Sequence, residues 1–100
     1  MIRVGLFVRL RARPGKEAEV AQFLKDALAA ARTEPQTRVW FALQLSETEF
    51  GIFDAFNDEA GRKAHLAGPI AAELVKRSGE LLAEAPRIEQ VDVLAAKVTQ

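Results

Sequence analysis

The chemistry open to this chain is set by very few side chains. Its 100 residues include one histidine, no cysteine and no tyrosine. Thiolate chemistry, disulfides, zinc fingers and iron–sulfur clusters are therefore excluded, as are phenolic acid–base chemistry and a multi-histidine metal site within one chain. His65 is the one side chain whose unperturbed pKa lies near neutrality, so it is the first candidate for proton transfer. Gly61 lies one helical turn before it and Gly68 one turn after, which thins the surface around it enough to leave a cavity. The alternative is a helix-surface or capping histidine that only hydrogen-bonds.

Asp54 is the second candidate. It stands among Phe53, Ala55 and Phe56, where an unpaired carboxylate is costly. It shares strand parity with Phe56, so both point to one side of a sheet. There it orients His65 or raises its pKa. The other reading, which these residues favour, is a structural salt bridge to an arginine of the first strand or of the second helical region. Trp40, Phe56 and Phe23, with the aliphatic Val8, form either an aromatic pocket or plain core, and the spacing favours core. Trp40 needs a partner for its indole N–H, which favours the edge of a pocket. Arg3, Arg9, Arg11 and Arg13 make a basic stripe along one strand. Lys plus Arg and Asp plus Glu are 14 each, so net charge argues for solvation or ion pairs there rather than an RNA or anionic ligand.

These side chains are positioned by elements that the hydrophobic pattern marks out. Ile2, Val4, Leu6, Val8 and Leu10 share one face of a strand over residues 2–12. Arg13-Pro14-Gly15 stops it, with Pro14 suited to the first turn of the next helix. Val20, Phe23, Leu24, Ala27, Leu28 and Ala31 then recur at helical spacing from Lys16 to about Arg32. Arg38 to Leu45 and Phe50 to Phe56 read as a hairpin. Asn57 or Asp58 caps a short helix to about Leu66, and Pro69 opens another to about Ala83. Pro86 ends that segment, and residues 87–97 read as a last strand. The order β-α-β-β-(αα)-β predicts a single α+β domain over residues 1–100, a ferredoxin-like four-stranded antiparallel sheet with helices on one face.

The other face of that sheet is not polar. Phe7, Val39, Phe41, Leu43 and Phe53 would together expose more apolar surface than a monomer usually carries. A second copy of the sheet is the simplest cover, because a two-fold axis matches a patch to itself. Single-stranded RNA is the other. Leu6-Phe7-Val8-Arg9-Leu10 and the stretch from Phe50 to Phe56 loosely match the strand motifs of RNA-recognition modules. Against RNA stand Glu49 in place of a basic residue, the charge of Asp54 beside that face, and Gly68-Pro69 splitting the second helical region.

Arg13-Pro14-Gly15-Lys16 after the first strand, Thr33-Glu34-Pro35 before the second, and Phe53-Asp54-Ala55-Phe56 leading to His65-Leu66 carry a family resemblance. Over nearly its whole length the chain resembles the antibiotic biosynthesis monooxygenase-like domains of the dimeric α+β barrel group. That family commonly has an acidic residue, an aromatic two residues on and a histidine nine beyond that, positions held here by Asp54, Phe56 and His65. Trp40 falls where the family often has tyrosine. The resemblance implies sheet-to-sheet dimers with a pocket between sheet and helices in each subunit, and oxygenases that use no metal or flavin. It implies catalytic roles for His65 and Asp54 and a substrate pocket lined by Trp40, Phe56, Val8 and Phe23. Haem degradation is disfavoured: the first strand has no asparagine, and Phe56 replaces the expected tryptophan.

The expected activity is that of a cofactor-independent monooxygenase for a quinol-like or polyphenolic aromatic. Its competitor is a homodimer of the same fold that binds such a molecule without converting it. Dioxygen and a small aromatic are the expected partners, with no nucleic acid and no membrane. No apolar run approaches the roughly 20 residues of a membrane span, and the alternating N-terminus lacks a signal-peptide core, so a cytoplasmic location is expected.

Overall fold

The computed structural model describes residues 1–99. Its elements are β1 (Val4–Arg11), α1 (Glu17–Ala31), β2 (Thr37–Gln44), β3 (Glu49–Phe56), α2 (Glu59–Leu66), α3 (Pro69–Leu81) and β4 (Arg87–Asp92). The strands form one antiparallel sheet in the order β2-β3-β1-β4. β1 and β2 are thus separated by β3, which is the split β-α-β arrangement of the ferredoxin-like fold.

Side-chain alternation sorts the sheet into two faces. Leu6, Val8 and Leu10 of β1 and Phe50, Ile52, Asp54 and Phe56 of β3 lie under the helices, all of them buried. Val20, Phe23 and Leu24 of α1 and Leu74 and Leu81 of α3 close over them. At the start of α1, Gly15 turns the chain with φ of 85°, a conformation that glycine adopts without strain. That turn holds Pro14 outside the helix, which begins at Glu17, instead of in its first turn. Asp58 caps α2 by accepting a hydrogen bond from the Gly61 N–H at 2.9 Å. Pro69 opens α3, as its fixed φ and missing N–H favour.

The register places Val39, Phe41 and Leu43 beside Ala55, Phe53 and Gly51 on the opposite face, with Phe7 next to Phe53. No helix lies on this side, and Phe41 is 56% exposed. Asp54 points the other way, toward the helices, so the charge expected beside the open face, and counted against RNA, is not there.

β4 ends at Asp92, five residues short of the strand expected over 87–97. Asp92 pairs with Val4, the first residue of β1, and one more bond joins Val93 N–H to the Arg3 carbonyl. Beyond that point β1 offers no ladder to continue. Residues 95–99 instead border a cavity of about 440 Å³ with Val39, Phe41, Phe53 and Ala55 of the open face. No helix among the described residues is long and apolar enough to cross a membrane.

Candidate functional site

Three segments converge on His65. The turn after α1 contributes Glu34, the middle of β3 contributes Asp54, and α2 carries the imidazole between them. His65 Nδ1 lies 2.6 Å from Glu34 Oε1, and Nε2 lies 2.8 Å from Asp54 Oδ2. Asp54 is 1% exposed and His65 7%. Glu34 Oε1 also accepts from Thr37 Oγ1 at 2.7 Å. Phe56 is fully buried beneath the imidazole, with ring centroids 5.5 Å apart. Among the described residues no group of three or more His, Asp or Glu side chains is arranged to hold a metal ion. Both imidazole nitrogens face carboxylates.

This geometry sets the protonation of His65. Burial alone lowers its pKa, because a charged ring loses solvation. The close approach of Asp54, then that of Glu34, outweighs burial and raises the pKa from 6.5 to about 9. At neutral pH the ring is an imidazolium that uses both N–H groups on carboxylates. A neutral, proton-accepting histidine is not the resting form.

A cavity of about 300 Å³ opens beside the pair. Glu34 and Gln36 from the turn and Gly61, Ala64, His65 and Gly68 from the helical side line it. The two glycines are places of close approach. A Cβ at Gly68 would sit 3.2 Å from the His65 carbonyl oxygen and 3.3 Å from Glu34 Oε2. One at Gly61 would sit 3.3 Å from Gln36. The concavity expected from this glycine spacing is therefore present on the side where the turn packs.

The expected aromatic lining lies elsewhere. Val8 and Phe23 belong to the packed core, and Trp40 packs against it. Phe56 touches His65 from below but does not line the cavity. Val8 is packed beneath the helices, whereas Phe23 also borders a separate cavity of about 380 Å³ between α1 and α3. Trp40 retains one unusual feature. Its Nε1 is buried without a hydrogen-bond partner, and so is Oδ1 of Asp54, the residue paired with it across β2 and β3.

Two functional side chains in this region are not identifiable from sequence. Glu34 stands out there only as part of Thr33-Glu34-Pro35, because nothing local ties a turn residue to a histidine 31 positions on. Arg62 is buried on α2 and donates from Nη1 to the carbonyls of Gly5 and Val91, while Nη2 pairs with Glu59. It ties α2 to β1 and β4. Asp54 does pair with a cation, but with His65 and not with an arginine of β1 or the second helical region.

The whole chain superimposes on known structures. A protein of unknown function from Nitrosomonas europaea, NE2512, is 52% identical over 100% of this chain and 97% of its own, with a TM-score of 0.98. A candidate antibiotic biosynthesis monooxygenase from Caulobacter crescentus is 22% identical over 94% of this chain and 92% of its own, at 0.80. Another from Deinococcus radiodurans is 19% identical over 97% and 98%, at 0.81. No family model matches the chain, and no curated protein matches it.

Proposed function

We propose that this chain, which shares its fold with candidate antibiotic biosynthesis monooxygenases, is a cofactor-independent monooxygenase for a quinol-like or polyphenolic aromatic. The observation that carries this reading is His65 held between Asp54 and Glu34 at the wall of a cavity. In such a reaction the substrate phenolate supplies the electrons. One atom of dioxygen enters the ring and the other leaves as water. The protein must accept the phenolic proton and hold the ring in place.

His65, held by Glu34 and Asp54, suits that task. A phenol ordinarily loses its proton near pH 10, so transfer to a base of pKa about 9 is only slightly uphill. Asp54 then keeps the second ring nitrogen occupied and fixes the imidazole plane. At neutral pH His65 already holds its proton, so turnover rises as pH climbs through about 9. Val39, Phe41 and Phe53 support a homodimer that covers the open face.

One observation favours the competing reading, a homodimer that binds a small aromatic without converting it: both imidazole nitrogens are committed to carboxylates at neutral pH. Oxygen uptake with a panel of hydroquinones separates the two. Uptake above the uncatalysed rate that rises through pH 9 and is lost in His65→Gln supports the oxygenase. Tight binding of one compound with no uptake from any selects the binder.

A further inference from the structure

We infer that Glu34 is a specificity-determining residue, a charge filter that admits an uncharged hydroxylated ring and rejects the same ring bearing a carboxylate. The inference rests on the cavity beside His65 being the ligand site of the proposed function. It concerns which ligands enter, not what becomes of them.

Charge at the site is the first support. Two carboxylates, Glu34 and Asp54, face one imidazolium. The group therefore carries a net single negative charge at neutral pH, and loss of the His65 proton makes it more negative. Among the described residues no lysine or arginine pairs with either carboxylate. Arg62, the buried cation of α2, is turned to the Gly5 and Val91 carbonyls and to Glu59. An anion in the cavity meets repulsion from these carboxylates that no neighbouring cation offsets.

Unused hydrogen-bonding capacity is the second. Glu34 Oε1 is taken by His65 and Thr37, whereas Oε2 is buried with no partner. An acceptor in that state gains from a hydroxyl donor and gains nothing from a second carboxylate. Space is the third. About 300 Å³ is at the lower end of the roughly 300–1,000 Å³ range of small-molecule sites, so a substituent on the ring cannot stand far from Glu34. Arg38 borders a separate cavity that shares only Pro35 and Gln36 with this one.

The test is equilibrium binding without oxygen, by calorimetry and by amide chemical shifts, using hydroquinone and its carboxylated analogue gentisate. The native chain is expected to bind hydroquinone at least about tenfold more tightly than gentisate, with shifts at Glu34, Gly61, His65 and Gly68. Glu34→Gln is expected to reverse or erase that preference, weakening hydroquinone and strengthening gentisate. A purely structural Glu34 would instead weaken both ligands together. Should Glu34→Gln fail to fold, the native preference still decides. Equal or tighter binding of gentisate by the native chain overturns the inference, as does binding of neither ligand. The expected preference without oxygen uptake from any compound removes the oxygenase reading and leaves the filter standing. Oxygen uptake confined to carboxylated substrates does the opposite.

Discussion

The two faces of the sheet reverse the usual distribution of polarity. The face under the helices, shielded from water, holds Asp54, His65 and Glu34, three ionisable side chains in contact. The face with no helix over it carries Phe7, Phe41, Phe53, Val39 and Leu43. Burying charge on one side and displaying aromatics on the other both act against the stability of an isolated subunit. Each therefore points to something outside folding: a ligand chemistry on the covered side and a second molecule on the open side. Buried polar atoms without partners, among them Trp40 Nε1, Glu34 Oε2 and Asp54 Oδ1, occur in the covered half.

The sharpest way to break this contrast is to empty the covered side of its cation. His65→Ala leaves two carboxylates facing each other with no positive charge, and removing one member of a buried ionic group costs about 3–5 kcal/mol. Urea denaturation should register that loss, and Asp54→Asn in the same background should recover part of it. A change below about 1 kcal/mol would mean that the triad is solvated and contributes little.

The pH dependence of stability comes next in size. The folded pKa of His65 is raised from 6.5 to about 9, so the folded state holds the proton more tightly than the unfolded chain. Its contribution is fully present below pH 6.5 and is lost as pH rises through 9. The difference amounts to a few kcal/mol, to be read as a falling denaturation midpoint across that window. A midpoint that stays flat across the same window is the opposing result.

On the open side, Phe41→Asp should change the stability of a subunit by only about 0.5 kcal/mol, since Phe41 is already 56% exposed. It should nonetheless shift the sedimenting species from dimer to monomer. A native chain that sediments as a monomer at micromolar concentration removes the need for any cover on that face. Trp40→Phe should have a small effect on stability and none on assembly. It keeps most of the buried ring and deletes a donor that has no partner, so stability should move by less than about 1.5 kcal/mol. A larger loss would show that the indole N–H is satisfied in solution.

Much of this contrast is legible in the sequence because strand parity is a local property. Alternation in β1 and β3 is enough to place Leu6, Val8, Asp54 and Phe56 on the helix side and to show that Phe41 and Phe53 crowd the other. Gly61 and Gly68 mark a cavity beside His65 because helical spacing is local too. Glu34 is not legible as a partner, since the contact depends on how the turn after α1 settles against α2. The aromatic lining is not settled by sequence for a related reason. Parity says which way Val8, Phe23 and Trp40 point, but not how tightly α1 and α3 pack over them. The direction of the His65 shift comes only from distances, because burial and two carboxylates act in opposite senses.

Most of the proposed chemistry depends on the state of His65, and the chain offers one clean measurement of it. With a single histidine, a ring-nitrogen and ring-carbon NMR titration needs no assignment. The predicted result is a doubly protonated ring at neutral pH that loses its proton near pH 9, with its midpoint lowered in Glu34→Gln. A ring that titrates at or below the ordinary value of 6.5, in both the native chain and the variant, would contradict the buried Glu34–His65–Asp54 group on which that chemistry rests.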